Sequence, residues 1–345
     1  MVKILFVCGT PPHPVHAAFA KSINADFFKV PEKFSFKKIK TLLNMPGNYD
    51  IYFSEGLFGY TYLLKLLGKI KKNSKRINLF ADPRIYQLVN NQKFDFKSLK
   101  IKKYPLLKRY FQLKAIKSLD GAMCVGNYEK DFLKKIKKDI PSKAVFAFIE
   151  RPDFFEFKSE LKEDNIFFVG GGPDYNYKGL DTLIKVFLKV KKQNPNSKLF
   201  IIGGDWESFK KNYEKFKDIL FLGKRNIDEI KEYMNKSSLC CHFGRGDTFP
   251  VSTLEAMNSG IPTIVSNDTG TKEVVEKSNK DFVVDQKNIE SISNQILRYF
   301  KKSKKQKRAL GEKFHKQAKY FNEKNCTNLF KDSWKFLLNE IKGKT

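Results

Sequence analysis

The sequence predicts an α/β protein of two successive doubly wound units, each a parallel sheet with crossover helices, the two facing each other across a cleft. Three observations carry that expectation. Short apolar runs alternate with helix-period segments along the chain, the pattern of strands joined by crossover helices. The alternation restarts near residue 165, after a stretch at 150–160 that reads as an inter-domain connection. The length, 345 residues, suits two domains of ordinary size, each burying its own core.

In the first half, 3–7, 26–30, 50–53, 77–80, 121–125 and 144–149 read as strands, and 36–43, 57–70, 106–119 and 128–137 as helices. In the second half, 165–170, 198–202, 219–222, 239–242, 263–265 and 282–284 read as strands with helices between them. The expected division is 1–155 and 156–325, each Rossmann-like. A closing helix at 326–345 packs back on the first domain. Leu329, Phe330, Trp334, Leu337 and Leu338 share one face of that helix. The basic run at 301–308 reads as a solvated helix face or loop.

The net charge is +29. Residues 1–160 carry 31 Lys and Arg against 14 Asp and Glu, a net of +17, and the remainder carries 35 against 23, a net of +12. Such a balance suits an anionic partner, whether nucleic acid, membrane headgroups or phosphorylated metabolites, although a codon-biased genome would also enrich lysine. The five cysteines form no CxxC, which reads as reduced, buried thiols in a cytoplasmic protein. The N-terminal apolar run is too short for a signal peptide, and no stretch reaches the ~20 apolar residues of a membrane span. Membrane contact is therefore expected to be peripheral.

The most informative segment runs from Gly244 to Glu273. It reads as loop, helix, strand, loop, helix. Pro250 sits where a helix can start without losing a needed N–H. Glu255 falls near the first turn, and Gly260 with Pro262 ends the helix. A second helix opens near Thr271. Two helix N-termini beyond the strand ends suit a diphosphate, and open α/β sheets place ligands at that edge.

This segment resembles the signature of the group 1 (family 4) retaining glycosyltransferases. Its marks are two acidic residues with seven between them, here Asp247 and Glu255, then Ala256-Met257, Gly260-Ile261-Pro262 and Gly270-Thr-Lys-Glu273. A second stretch, Phe167 to Ile184, resembles the family's strand, loop and Lys-Gly-hydrophobe-Asp helix, centred on Lys178. The resemblance implies the GT-B fold, with an acceptor domain followed by a nucleotide-sugar donor domain.

It implies that Glu255 bonds the ribose hydroxyls, Asp247 meets the transferred sugar and Lys178 binds the donor diphosphate. The family's first acid is usually Glu, so Asp247 has a shorter arm. Gly172 stands where the family often has Arg, which leaves that contact missing or to Lys224 or Arg245. Phe221-Leu-Gly223-Lys224 matches a segment that meets the base. Thr248, Phe249, Thr269 and Gly270 complete the donor set. No cofactor and no metal are expected, since no Asp-x-Asp or His/Cys/Asp cluster has ligand spacing.

In the first half, the Pro-rich stretch after the first strand reads as a loop carrying His13 and His16 as acceptor contacts. Glu55 and Asp82 end strands at the same edge and are candidates to orient or deprotonate an acceptor hydroxyl, or else to cap the helices that follow. The expected partners are a UDP- or GDP-linked sugar, an acceptor glycan or lipid-linked sugar, and an anionic membrane surface, with no specific nucleic acid. The competing readings are a basic nucleic-acid binder, a sugar-nucleotide epimerase on the same fold, and an inactive relative.

Overall fold

The computed structural model describes all residues except 1, 32, 34, 96–99, 156, 158–162, 172–174, 205 and 344–345. The chain clusters into two compact units. Residues 1–93, 103–150 and 322–345 form the first, and residues 94–102 and 151–321 the second.

The strands in chain order are β1 (Ile4–Gly9), β2 (Asp26–Val30), β3 (Ile51–Glu55), β4 (Lys75–Phe80), β5 (Gln92–Asp95), β6 (Lys100–Lys103), β7 (Gly121–Val125) and β8 (Ser142–Val145). There follow β9 (Ile166–Val169), β10 (Leu199–Ile202), β11 (Ile219–Gly223), β12 (Leu239–His242), β13 (Thr263–Ser266) and β14 (Val283–Val284). The first unit's sheet has the order β2-β1-β3-β4-β7-β8, the second's β11-β10-β9-β12-β13-β14. Every pairing in both is parallel. The expected pair of parallel Rossmann-like sheets is present. Strands such as β1 and β7 read as unbroken apolar runs because helices cover both faces of a parallel sheet.

Strand order reverses where β1 pairs with both β2 and β3, and where β9 pairs with both β10 and β12. At such a reversal the crossover helices leave toward opposite faces, opening a crevice at the carboxyl ends of the strands. Gly9 and Glu55 mark that edge in the first unit. Gly170 and the loop after His242 mark it in the second.

Several sequence expectations need correction. The Pro-rich stretch is not all loop: residues Pro14–Ser22 form a helix with Pro14 at its start, where the missing N–H costs nothing. The helix expected at 57–70 is Phe58–Leu66, ended by Gly68 in the left-handed region at φ 69°. The strand expected at 144–149 is β8, which stops at Val145. The helix Arg84–Val89 and the ribbon of β5 and β6 were not anticipated. Glu255 is the fifth residue of the helix Val251–Asn258, just past the first turn, as expected. The basic run is, as expected, largely a solvated helix face: it leads into the helix Lys304–Ala318, opened by a Ser303–Gln306 capping box.

In the first unit the helix Glu323–Lys342 closes the core. Phe330 stacks on Phe19 at 4.6 Å between centroids, and Trp334 meets the edge of Phe53 at 5.0 Å. Gly121 leaves room for it: a Cβ there would sit 2.8 Å from the end of Ile341. Phe330, Trp334 and Leu337 are fully or almost fully buried, each such side chain contributing ~1.5–3 kcal/mol. In the second unit the helix Leu180–Gln193 turns seven residues inward and packs against the helix Ile289–Phe300.

Candidate functional site

In the second unit, β9 and β10 run into Gly170-Gly171 and Gly203-Gly204. These turns touch because they lack side chains: a Cβ on Gly203 would strike the Gly170 carbonyl, and one on Gly204 would strike the Lys224 side chain, which lies across it. Lys224 and Gly223, at the end of β11, are thereby brought to the same edge. Gly172 lies outside the described residues.

Lys178 ends the short helix Tyr175–Lys178. Gly179 follows at φ 73°, where any Cβ would collide with the Phe243 carbonyl, so the turn holding Lys178 against the end of β12 requires glycine. The Lys178 ammonium is 3.5 Å from Oδ2 of Asp247, and the same oxygen is 2.9 Å from Nε2 of His242. Asp247 is only 6% exposed. Burial alone pushes its carboxyl up, but the Lys178 charge and the His242 hydrogen bond outweigh that and hold it at about 2. Lys178 is shifted upward: burial opposes its charge, and Asp247 more than compensates. The backbone carbonyl of Asp247 accepts bonds of 2.9 Å from the Thr269 hydroxyl and from the Gly270 N–H. Lys178, Asp247, Thr269 and Gly270 are thus assembled at the edge where strand order reverses.

His242 was read from sequence only as a strand end. Its ring lies parallel to that of Phe168, with centroids 5.8 Å apart, which fixes its orientation toward Asp247. Its signal was its place as the last strand residue before the acidic loop.

The other expected donor residues divide. Arg245 forks onto both carboxylate oxygens of Asp181 at 2.8 and 2.9 Å and reaches the Thr182 hydroxyl, tying the acidic loop to the start of the helix Leu180–Gln193. Thr248 and Phe249 are buried, and Phe249 packs against Phe321. Glu255 is half-buried on the helix Val251–Asn258. The start of that helix is held over β9 by a 3.2 Å bond from the Ser252 hydroxyl to the Val169 carbonyl.

The first unit gathers its own candidates. Nδ1 of His16 lies 2.5 Å from Oε1 of Glu55, and the His13 ring is 4.6 Å from the His16 ring. His16 is buried on a helix, not on a solvated loop. Asp82 accepts from the Arg84 backbone N–H at 2.9 Å and pairs with its guanidinium at 3.1 Å. It therefore caps the helix Arg84–Val89 while facing a cavity of about 390 Å³ that Gly9, His13, His16, Glu55 and Arg84 also line. Among the described residues no cluster of three or more His, Cys, Asp or Glu could hold a metal ion. No helix among them is long and apolar enough to cross a membrane.

Residues 151–317 match the family model of glycosyl transferases group 1. This segment belongs to the group 1 glycosyl transferases. The chain is 32% identical over 151 residues to an uncharacterized glycosyltransferase of Haemophilus influenzae, covering 42% of each chain. It is 25% identical over 225 residues to the UDP-Gal:alpha-D-GlcNAc-diphosphoundecaprenol alpha-1,3-galactosyltransferase of Escherichia coli, covering 59% of this chain and 57% of that one. The chain thus spans about half the length of these two relatives. The sucrose-phosphate synthase of Thermosynechococcus elongatus superposes with a TM-score of 0.74 over 98% of this chain and 100% of its own, at 13% identity. That likeness is one of fold and fits the GT-B class. The matched segment contains the whole Lys178–Asp247–His242 cluster.

Proposed function

We propose that the protein is a retaining glycosyltransferase that moves a hexose-type sugar from a nucleotide diphosphate to an acceptor hydroxyl without a metal. The buried Lys178–Asp247–His242 cluster carries this reading, because it sets a permanent cation and a permanent anion at the edge where an α/β sheet takes its ligand. Lys178 and Lys224 neutralise the diphosphate, the work a cation does elsewhere. Gly223, Thr269 and Gly270 let the nucleotide approach the backbone. Glu255 holds the ribose, and Asp247 the transferred sugar. The bond from the anomeric carbon to the diphosphate breaks, and the nucleotide diphosphate leaves with the electron pair. The acceptor oxygen bonds to the same face of that carbon, and its proton passes to the departing phosphate. In the first unit, Glu55 and Asp82 orient the acceptor hydroxyl, with His13 and His16 beside them.

The donor is a UDP- or GDP-sugar, and the UDP-Gal donor of the Escherichia coli relative favours UDP. The acceptor is a glycan or lipid-linked sugar met at the cytoplasmic face of a membrane, a setting in keeping with five cysteines that are all free and buried.

A sugar nucleotide added in chelator, free of divalent metal, should raise the melting temperature. A hundredfold excess over Kd corresponds to ~2.7 kcal/mol. Proton NMR of the product should show the donor's anomeric configuration. A melt that responds to DNA and to no sugar nucleotide would refute the enzyme reading, and an inverted product the retaining one. Glu255→Gln should weaken donor binding by about tenfold or more, since a charge-assisted bond contributes ~1.5–3 kcal/mol. Titration of the donor by calorimetry reads this directly, and unchanged affinity would remove Glu255 from the ribose.

A further inference from the structure

Three helices of the first unit, Phe36–Leu43, Phe58–Leu66 and Leu106–Lys117, share one face. Lys38 lies over the Tyr60 ring at 5.2 Å, and the Tyr62 and Phe111 rings are 5.7 Å apart. Large apolar side chains that would normally turn inward point to solvent here. Phe36 is 91% exposed, Leu106 80% and Leu107 84%, with Leu66, Leu67 and Tyr110 also largely exposed. Residues 36–43, 57–72 and 104–117 carry eleven Lys and Arg and no Asp or Glu. Exposed large apolar side chains concentrated on neighbouring helices suit a docking surface, and the all-cationic composition of those segments selects an anionic one.

Between the helices lies a pocket of about 440 Å³ whose lining includes Leu63 and Phe111 on its apolar side and Lys38, Arg84 and Lys108 on its basic side. Gly59 keeps it open toward Phe111, whose ring would lie 3.3 Å from a Cβ there. Lys108 is shifted downward by burial and by the charges of Lys93 and Arg84, and of these cations Arg84 already has Asp82 as a partner on its far side. Lys38, Gly56, Leu57 and Arg84 also line the cavity that holds His16, Glu55 and Asp82. The two spaces are therefore neighbours that share these residues as a common wall, and together they form a groove apolar on one side, cationic along the wall and carboxylate-lined on the other.

We propose that this groove binds a membrane lipid carrying a phosphate. The phosphate sits among Lys38, Arg84 and Lys108. The hydrocarbon passes Leu63 and Phe111 into a bilayer met by Phe36, Leu66, Leu67, Leu106 and Leu107. The head beyond the phosphate reaches Glu55 and Asp82. That this lipid is the acceptor rests on the glycosyltransferase reading; that it binds does not.

The test measures binding, with dodecyl phosphate as probe below its micelle concentration and dodecyl maltoside and inorganic phosphate as controls. Calorimetry should find dodecyl phosphate bound at least about tenfold more tightly than either control, and Lys108→Glu should abolish that preference. Lys108→Glu should leave the melting shift with a UDP-sugar intact, because that site is in the other unit. Leu106→Glu/Leu107→Glu should leave dodecyl phosphate binding unchanged but stop flotation with phosphatidylglycerol vesicles, which should itself fade as salt rises. Equal affinity for all three probes, a preference indifferent to Lys108→Glu, or flotation with pure phosphatidylcholine would each overturn the proposal. Loss of the UDP-sugar response in the wild-type protein would instead strike the donor assignment.

Discussion

Lys178→Met is expected to abolish sugar transfer and to destabilise the protein by ~3–5 kcal/mol, the usual consequence of removing one partner of a buried ion pair. The loss arises at Asp247, which would keep only the His242 bond at a position where burial disfavours its charge. In the intact protein its carboxyl lies at about 2, below its ordinary 3.8. That stability is therefore present above the ordinary value and lost as pH falls through the lowered one. In Lys178→Met the carboxyl rises, so acid unfolding should begin at a higher pH. The double variant Lys178→Met/Asp247→Asn should recover most of the stability and none of the activity. Melting curves from acid to neutral pH, with a transfer assay on the same samples, separate the two effects. A single variant as stable as the parent would show that the pair does not form in solution.

Glu129 should dominate the opposite end of the pH scale. It sits on the helix Asn127–Ile136, 2% exposed, with no partner side chain for either carboxyl oxygen. Burial, reinforced by the charge of Asp82 and opposed by Arg84, moves its carboxyl well above 4.5. The folded protein then holds a proton that the unfolded chain releases. Its contribution is complete below the unfolded value and falls by ~1.4 kcal/mol per pH unit until the raised value is passed. Glu129→Gln should match the parent in acid and exceed it increasingly toward alkaline pH. Denaturant titrations across that range decide the matter, and parallel pH profiles for the two proteins would mean Glu129 is ionised in the fold.

What could be read without coordinates was what is local in the chain. Asp247, Glu255 and Lys178 stand in patterns defined by their immediate neighbours, and unbroken apolar runs mark strands covered on both faces. What escaped was set by how loops and helices fold back on the strand ends. His242 gains its role because a loop returns Asp247 to it, and Arg245 spends its fork on Asp181, 64 positions away. The helix Pro14–Ser22 was missed because proline suggested a loop where it opens a helix, and that error hid the burial of His16. The cationic groove was half legible: 57–70 and 106–119 read as helices within the more basic half of the chain. That Phe36, Leu106 and Leu107 face outward depends on which side of each helix the sheet claims.

The aromatic stack of Phe19, Phe53, Phe330 and Trp334 has a consequence for how the molecule is made. A ribosome delivers β1, β3 and the helix Pro14–Ser22 first, then all of 151–321, and only afterwards the helix that covers them. At ~5–20 residues per second the wait from Phe53 to Trp334 is roughly 14–56 s. Through that interval the earliest-made sheet carries an uncovered aromatic face, while the unit begun later has already emerged whole. Of the two units, the one begun earlier is the last to mature.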